Sequence, residues 1–166
     1  GTGGQNDVLN SIELEQAYVA YTGVEDFTFI GGKFLSSLGW EAYHAPNLYQ
    51  YSYSATLLYP GMQNGAAAKY SAESFAVYAA ALGGVWDSYD TDGSRGGVEG
   101  NFRYTGVEDF TLFGGGATES YPGYQQSLLN IWASYAIDEL LLAAEVNSAT
   151  DWTAEGTDGF GWLFMA

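Results

Sequence analysis

The chain has 166 residues, of which 47% are hydrophobic and 17% aromatic, with 23 glycines and no cysteine. It carries 4 Lys and Arg residues against 20 Asp and Glu, and the resulting net charge of −16 argues against nucleic acid as a partner. Disulfides and thiolate metal sites are excluded, and the length fits one domain. No run approaches the ~18 apolar residues of a transmembrane helix.

Ten β-strands are predicted in chain order, and apolar and polar side chains alternate along most of them. They lie near residues 9–21, 27–34, 51–59, 64–70, 75–86, 98–105, 110–116, 127–136, 140–149 and 159–165. Several have the ~9–11 residues that a tilted strand needs to cross the hydrocarbon core. The sixth alternates most clearly, with Val98, Phe102 and Tyr104 on one face and Glu99, Asn101 and Arg103 on the other.

Short turns of one pattern alternate with long irregular loops. The turns fall at 23–26, 71–74, 106–109 and 137–139, and the loops at 35–50, 87–97, 118–126 and 151–158. Short turns at one end and long loops at the other are typical of outer-membrane barrels. We therefore predict an all-β, antiparallel up-and-down meander of about ten strands, as part of a transmembrane β-barrel. The four turns should share one end, the periplasmic one, and the loops with His44, Asp90, Tyr121 and Trp152 the other.

A soluble antiparallel sandwich is the alternative fold, because it shows the same alternation with its polar face outward. Small residues on the apolar faces, such as Ala66, Ala68, Ala79 and Ala81, would leave a sandwich core thin. Aromatic residues also gather near the strand ends in two groups, as in the girdles of membrane barrels. Both features favour the barrel.

Charge is distributed unevenly over this predicted topology. Seven acids fall in the short turns and eight in the long loops, so the rims carry most of the negative charge. Acidic rims attract cations, although salt screens the effect to a mild bias. The residues predicted to line the lumen are Glu13, Glu15, Lys33, Lys69, Glu99, Asn101, Arg103, Asn130, Glu145 and Asn147.

Catalysis finds little support in the sequence. His44 is the single histidine, and no spacing joins it to a serine and an acid in the manner of a hydrolase. The loop holding Asp90 and Asp92 has partial EF-hand spacing, but Ser88 stands where the first ligand should be an aspartate. A polar turn at a loop tip explains these residues better than a calcium site. We predict no enzyme activity, no cofactor and no metal site.

Several short motifs resemble the OmpL-like family of β-barrel porins from Gram-negative outer membranes. They are Gly32-Lys33-Phe34, Gly39-Trp40-Glu41, Asn47, Tyr51-Ser52 and the tract Gly83-Gly84-Val85-Trp86-Asp87, in which the family has Asn at the Gly83 position. The resemblance implies a barrel in the outer membrane. Because barrels of that family are longer, it also implies that residues 1–166 are a single porin-like domain truncated at both ends.

Together these observations predict a channel for passive diffusion of small hydrophilic solutes or ions. Outer-membrane lipids are the expected surroundings, and assembly into a homo-oligomer stays open. The alternatives are a barrel without a channel, acting as an adhesin or scaffold, and a soluble carbohydrate-binding β-domain. An outer-membrane enzyme is a third and weaker alternative.

Overall fold

A computed structural model describes residues 15–40, 58–86, 95–152 and 154–166. The described strands are β1 (Ala17–Val24), β2 (Phe27–Leu35), β3 (Met62–Ser71), β4 (Phe75–Gly84), β5 (Gly96–Val107), β6 (Phe110–Tyr121), β7 (Tyr124–Ile137), β8 (Leu140–Thr150) and β9 (Gly159–Met165). All pair antiparallel in one sheet in chain order, with β1 and β9 at its edges. The all-β up-and-down prediction is confirmed. The described residues form no helix long and apolar enough to span a membrane.

The structure describes nine strands rather than ten, and the difference lies in the third predicted strand, 51–59. Residues 51–57 lie outside the described part of the chain, whereas Leu58 and Tyr59 form a turn ahead of β3. Leu58 is buried in the core, and its carbonyl oxygen accepts a 3.2 Å hydrogen bond from the indole nitrogen of Trp86. A strand through Leu58 and Tyr59 is therefore wrong, because these residues contact the interior of the sheet instead of extending it.

Four short connections join each odd strand to the next even one, at residues 25–26, 72–74, 108–109 and 138–139. In an antiparallel sheet that follows chain order, they must all lie at one end, which we call the short-turn end. The opposite end, with Tyr121 and Trp152, is the long-loop end. The placement of the four turns at one end, with Tyr121 and Trp152 at the other, is confirmed, but the connection after Tyr121 is itself a two-residue turn; His44 and Asp90 lie outside the described residues.

The predicted long loop over 118–126 is wrong. β6 and β7 run on to Tyr121 and Tyr124, and only Pro122 and Gly123 connect them. Gly123 has a φ of 97°, which a glycine adopts without steric cost, and the Tyr121 and Tyr124 rings stack at 4.8 Å beside the turn. The polar composition of this stretch belongs to strand ends and a tight hairpin.

The octapeptide repeated at 21–28 and 104–111 forms the same hairpin twice. Asp26 and Asp109 take the left-handed conformation, with φ of 64° and 59°, which aspartate tolerates better than most residues. Two residues ahead of each turn, Gly23 and Gly106 lie under the ring of the preceding tyrosine, where an added Cβ would clash. The turn geometry is thus specified locally by the sequence.

The sheet curls around an interior, because one cavity is bordered by residues from Tyr18 on β1 to Phe113 on β6. Buried residues of β2, β3, β4, β6, β7 and β8 form one cluster on this inner face. The outer face is apolar and exposed, and near the short-turn end it carries the contacting rings of Phe27, Tyr70, Phe75 and Phe102. The inner face therefore combines an apolar cluster with buried polar residues, whereas the outer face is mainly apolar and exposed.

Candidate functional site

Most of the polar residues predicted to line a lumen share the inner face. Cross-strand pairing and burial place on it Lys69, Glu99, Asn101, Arg103, Asn130, Glu145 and Asn147. On β5 the alternation is as expected, since Glu99 is 2% exposed and its neighbour Val98 is 53% exposed. Phe102 and Tyr104 lie with Val98 on the outer face. The role of the inner residues in solute passage stays a prediction.

Lys33 lies on the outer face, so its placement in the lumen is wrong. It is in register with Asn64 of β3, whereas Phe34 and its partner Gln63 point inward and are buried. The reason is that β2 needs its apolar residues, Ile30 and Phe34, for the inner cluster, which leaves the alternate positions outside. Glu15 precedes β1 and is exposed, and Glu13 lies outside the described residues.

Three buried polar residues on the inner face escaped the sequence analysis. Gln63 and Glu119 are fully buried and Gln126 is 3% exposed. The sequence analysis placed Glu119 in a loop because it ended the seventh predicted strand at residue 116. The period of two from Phe113 through Ala117 to Glu119 would have found it, had the strand been extended.

Residues 36–40, which follow β2 directly, fold back into the interior, and we call them the return segment. Glu99 anchors its start: the carboxylate accepts hydrogen bonds from Ser36 Oγ at 2.7 Å, Ser37 N at 2.8 Å and Ser37 Oγ at 2.6 Å. A fourth bond comes from Gln63 Nε2 at 2.8 Å. A buried carboxylate needs such donors, because an unpaired charge in the interior is costly.

The end of the return segment is held by the wall formed by β7 and β8. Gly39 N donates to Asn130 Oδ1 at 3.0 Å, and Trp40 N donates to Glu145 Oε1 at 3.1 Å. Asn130 Nδ2 in turn donates to Glu145 and, at 2.7 Å, to Asn147 Oδ1. Ser36 N still donates to the Gly61 carbonyl oxygen at 3.0 Å, and beyond it side chains of the wall take the place of strand partners.

Tyr59 completes the environment of Glu145 by donating its phenol hydrogen to the carboxylate. Burial, and then the negative charge of Glu145, raise the pKa of Tyr59 well above the ordinary tyrosine range. The phenol therefore remains a protonated donor. It joins the chain just ahead of β3 to the same wall that holds the return segment.

A third carboxylate anchors the connection that leaves β4. Glu119 Oε2 accepts hydrogen bonds of 2.9 Å from the backbone nitrogens of both Val85 and Trp86. Trp86 meets Trp152 edge to face at 5.8 Å. Leu58 packs in the same buried cluster, and Leu38 lies deeper, beside Gly115 of β6. We call Leu38, Leu58, Val85, Trp86 and Trp152 the plug cluster.

An aromatic stack runs across the inner wall beside the return segment. Phe113 and Trp132 stack face to face at 5.0 Å, and Trp40 meets Trp132 edge-on at 5.1 Å. The guanidinium of Arg103 lies 5.7 Å from the centre of the Trp132 ring, within cation–π range. The stack therefore orients an arginine on the inner face.

A cavity of about 300 Å³ lies next to the return segment. Ser36 and Ser37 border it on one side, and Lys69, Tyr78 and Arg103 on the wall. The described residues hold no group of three or more His, Cys, Asp or Glu side chains placed to bind a metal ion. Asp90 and Asp92, the weak calcium candidates, fall outside the described ranges.

A curled antiparallel sheet in chain order, with an exposed apolar outer face and polar residues among the apolar ones inside, has the architecture of an up-and-down β-barrel. The family model described as "Putative beta-barrel porin-2, OmpL-like" matches residues 2–162. The chain belongs to this family of β-barrel porins, which confirms the resemblance seen in the sequence. No curated protein and no solved structure matches the chain.

Proposed function

We propose that the chain is part of a porin in the outer membrane of a Gram-negative bacterium, where it passes small hydrophilic solutes or ions by passive diffusion. The observation that carries the proposal is the division of the sheet into two faces in a member of a porin family. Exposed apolar side chains cover one face, and seven polar residues predicted from the sequence to line a lumen lie on the other.

The outer face suits contact with lipid. Strands β3 to β8 have 10 to 14 residues, enough to cross the hydrocarbon core when tilted. Val98 and Ile131 are among the exposed apolar residues of these strands, and Trp162 is an exposed apolar residue of β9. The strand ladders satisfy the backbone polar groups of β2 to β8 on both sides, as a membrane interior requires. The short-turn end would then be periplasmic, following the length of its turns.

Passage through this interior depends on the return segment. Because residues 36–40 are bound to the inner wall, they narrow the space available to a solute. The cavity bordered by Ser36 and Ser37 is the space left beside them in the described part of the chain. We propose that solutes move along this side, and that the hydroxyl, amide and charged groups there determine which ones pass.

The plug cluster favours a second candidate function. Its apolar side chains fill the interior at the long-loop end of the described residues, as expected for a barrel that serves as an adhesin or scaffold without conducting. The polar anchors at Glu99, Glu119 and Glu145 would then be structural. The two candidates differ in whether a water-filled path passes the plug cluster.

Conductance measured in planar lipid bilayers distinguishes them. The purified protein, shown to be folded by its β-sheet circular dichroism, should produce discrete current steps if it is a porin. Replacement of Trp86 with Ala in the plug cluster should enlarge those steps, whereas Trp162→Ala on the outer face should leave them unchanged. Folded protein that produces no steps would refute the porin proposal and support the scaffold.

A further inference from the structure

We propose that the cavity beside the return segment binds a small anionic solute, through a carboxylate or phosphate group held between Lys69 and Arg103. This inference deepens the proposed porin function by naming the solute class, and it rests on that function for its physiological meaning. The cavity's volume of about 300 Å³ is at the lower end of the range for small-molecule pockets.

The charge of the cavity wall is opposite to that of the chain. Two cationic residues, Lys69 and Arg103, line the cavity, and no Asp or Glu is among the described residues that border it. The chain as a whole has a net charge of −16. A locally cationic cavity in so acidic a protein therefore needs an explanation, and recognition of an anion supplies one.

The acids of the inner face are engaged elsewhere. Glu99 accepts hydrogen bonds from the return segment and Gln63, Glu145 from Asn130, Trp40 and Tyr59, and Glu119 from the backbone after β4. Within the described ranges, no hydrogen bond or ion pair joins Lys69 or Arg103 to any of them. Binding of these acids to the inward-folding segments thus leaves both cations available to a ligand.

The sheet places the two cations at a separation that suits one anionic group. Lys69 pairs with Tyr78 and Tyr78 with Asn101, so these three form a row across β3, β4 and β5. Arg103 lies two residues further along β5. Strand spacing and rise then put the Cα atoms of Lys69 and Arg103 on the order of 10–12 Å apart, a gap that two long side chains and a carboxylate can fill.

Arg103 is oriented for this task. Its guanidinium lies over Trp132, which is itself stacked on Phe113, so the planar donor group is held against a rigid surface. A guanidinium binds carboxylate and phosphate oxygens through two parallel hydrogen bonds, and prior orientation reduces the entropy lost on binding. Lys69 is exposed to solvent and supplies a second, mobile positive charge.

The acidic rim does not prevent anion binding. The seven acids of the short turns are exposed to solvent, at residues 25, 26, 73, 108, 109, 138 and 139. At physiological salt their field decays over about 8 Å, so it biases entry only mildly. The two cations border the cavity directly, so they act on a bound anion at closer range than the screened acids of the turns.

Calorimetric titration of the detergent-solubilised protein tests the site independently of conduction. Inorganic phosphate and gluconate are the two probes, because they separate phosphate from carboxylate recognition, and glucose is the uncharged control. We expect at least one anion to bind and glucose not to. Lys69→Gln and Arg103→Gln should each weaken binding about ten-fold, as loss of a charge-assisted hydrogen bond predicts.

Lys33→Gln is the matched control, since it removes the same charge from the outer face. Unchanged binding in this variant supports the site, whereas equal weakening would show a general charge effect and overturn it. Lys69→Gln carries the test if Arg103→Gln fails to fold, because Lys69 is exposed and, unlike Arg103, does not lie over the Trp132 ring. Absence of anion binding by folded, conducting protein refutes the site alone. Binding without current steps in bilayers refutes the porin function and leaves the site standing.

Discussion

Removing the Glu99 carboxylate should release the start of the return segment from the inner wall. Glu99→Ala deletes the acceptor of four hydrogen bonds and leaves the backbone nitrogen of Ser37 without its partner. A bond to a charged group contributes about 1.5–3 kcal/mol, and a buried donor left unpaired costs about 1–3 kcal/mol. Because the hydroxyls can turn to water, we expect a net loss of about 3–5 kcal/mol in the free energy of unfolding.

Glu99→Gln should be much milder, for a reason visible in the same network. Gln63 Oε1 is buried and has no hydrogen-bond partner within the described residues. If the Gln63 amide turns over, this oxygen can accept from the new amide nitrogen at position 99, while the remaining oxygen still accepts from Ser37 N. The expected loss is about 1 kcal/mol, the value of a neutral hydrogen bond.

Urea titration of protein folded into lipid vesicles gives the free energies, and bilayer recordings give the second readout. Release of residues 36–40 from the wall should enlarge the current steps of Glu99→Ala, and the loss of the Trp40–Trp132 contact should change the near-ultraviolet circular dichroism. Glu108→Ala, on an exposed short turn, is the control. Equal stability of the Ala and Gln variants, with unaltered current, would contradict the anchoring role.

Three further predictions follow from the faces, the turns and the anchors. Phe102→Arg should lower the stability of the protein folded in vesicles by about 2–4 kcal/mol relative to Phe102→Leu, since Phe102 is on the outer face. Equal stability of the two variants would reverse the face assignment. Asp109→Ala should cost about 1 kcal/mol in urea titration and Asp109→Gly nothing, because φ there is 59°. The raised pKa of Tyr59 means that the folded state retains a proton that the unfolded chain loses above about pH 10, so stability should fall as pH rises past that value. Tyr59→Phe should remove this part of the fall between pH 9 and 11, and an identical profile would exclude Tyr59 as its source.

The number of strands shows where local patterns were sufficient and where they conflicted. The alternation around Val98 and the repeated turns predicted the meander and most of its strands correctly. Ten strands, however, would have put the turn at 71–74 and the turn at 23–26 at opposite ends, against the predicted sidedness. In the structure β2 pairs directly with β3, which puts both turns at one end. In an antiparallel meander, two turns lie at the same end only if an even number of strands separates them. Counting the predicted strands between the turns would have shown this conflict from the sequence alone.

The face of a residue was predictable wherever the alternation was clear, and not where apolar residues competed for the interior. On β5 the pattern leaves one arrangement, because the other would expose Glu99 and Arg103 to the apolar side. On β2 both alternate sets contain aromatic residues, so the position of Lys33 depends on which set the core accepts. That choice is made by packing against β6 and β7, which a local window does not contain.

The polar residues of the inner face contact distant parts of the chain. Alternation places Glu99 and Glu145 on the inner face, but a strand that lines water and one that binds returning backbone have the same period. The difference lies in partners 62 residues away for Glu99 and 105 for Glu145, at Ser37 and Trp40. Residues 36–40 gave no sign of this role, because serines and glycine after a strand are equally typical of an exposed loop. The interior of the described sheet is consequently narrowed by contacts that only the folded chain brings together, and the cavity beside Ser36 and Ser37 is cationic because those contacts occupy the acids.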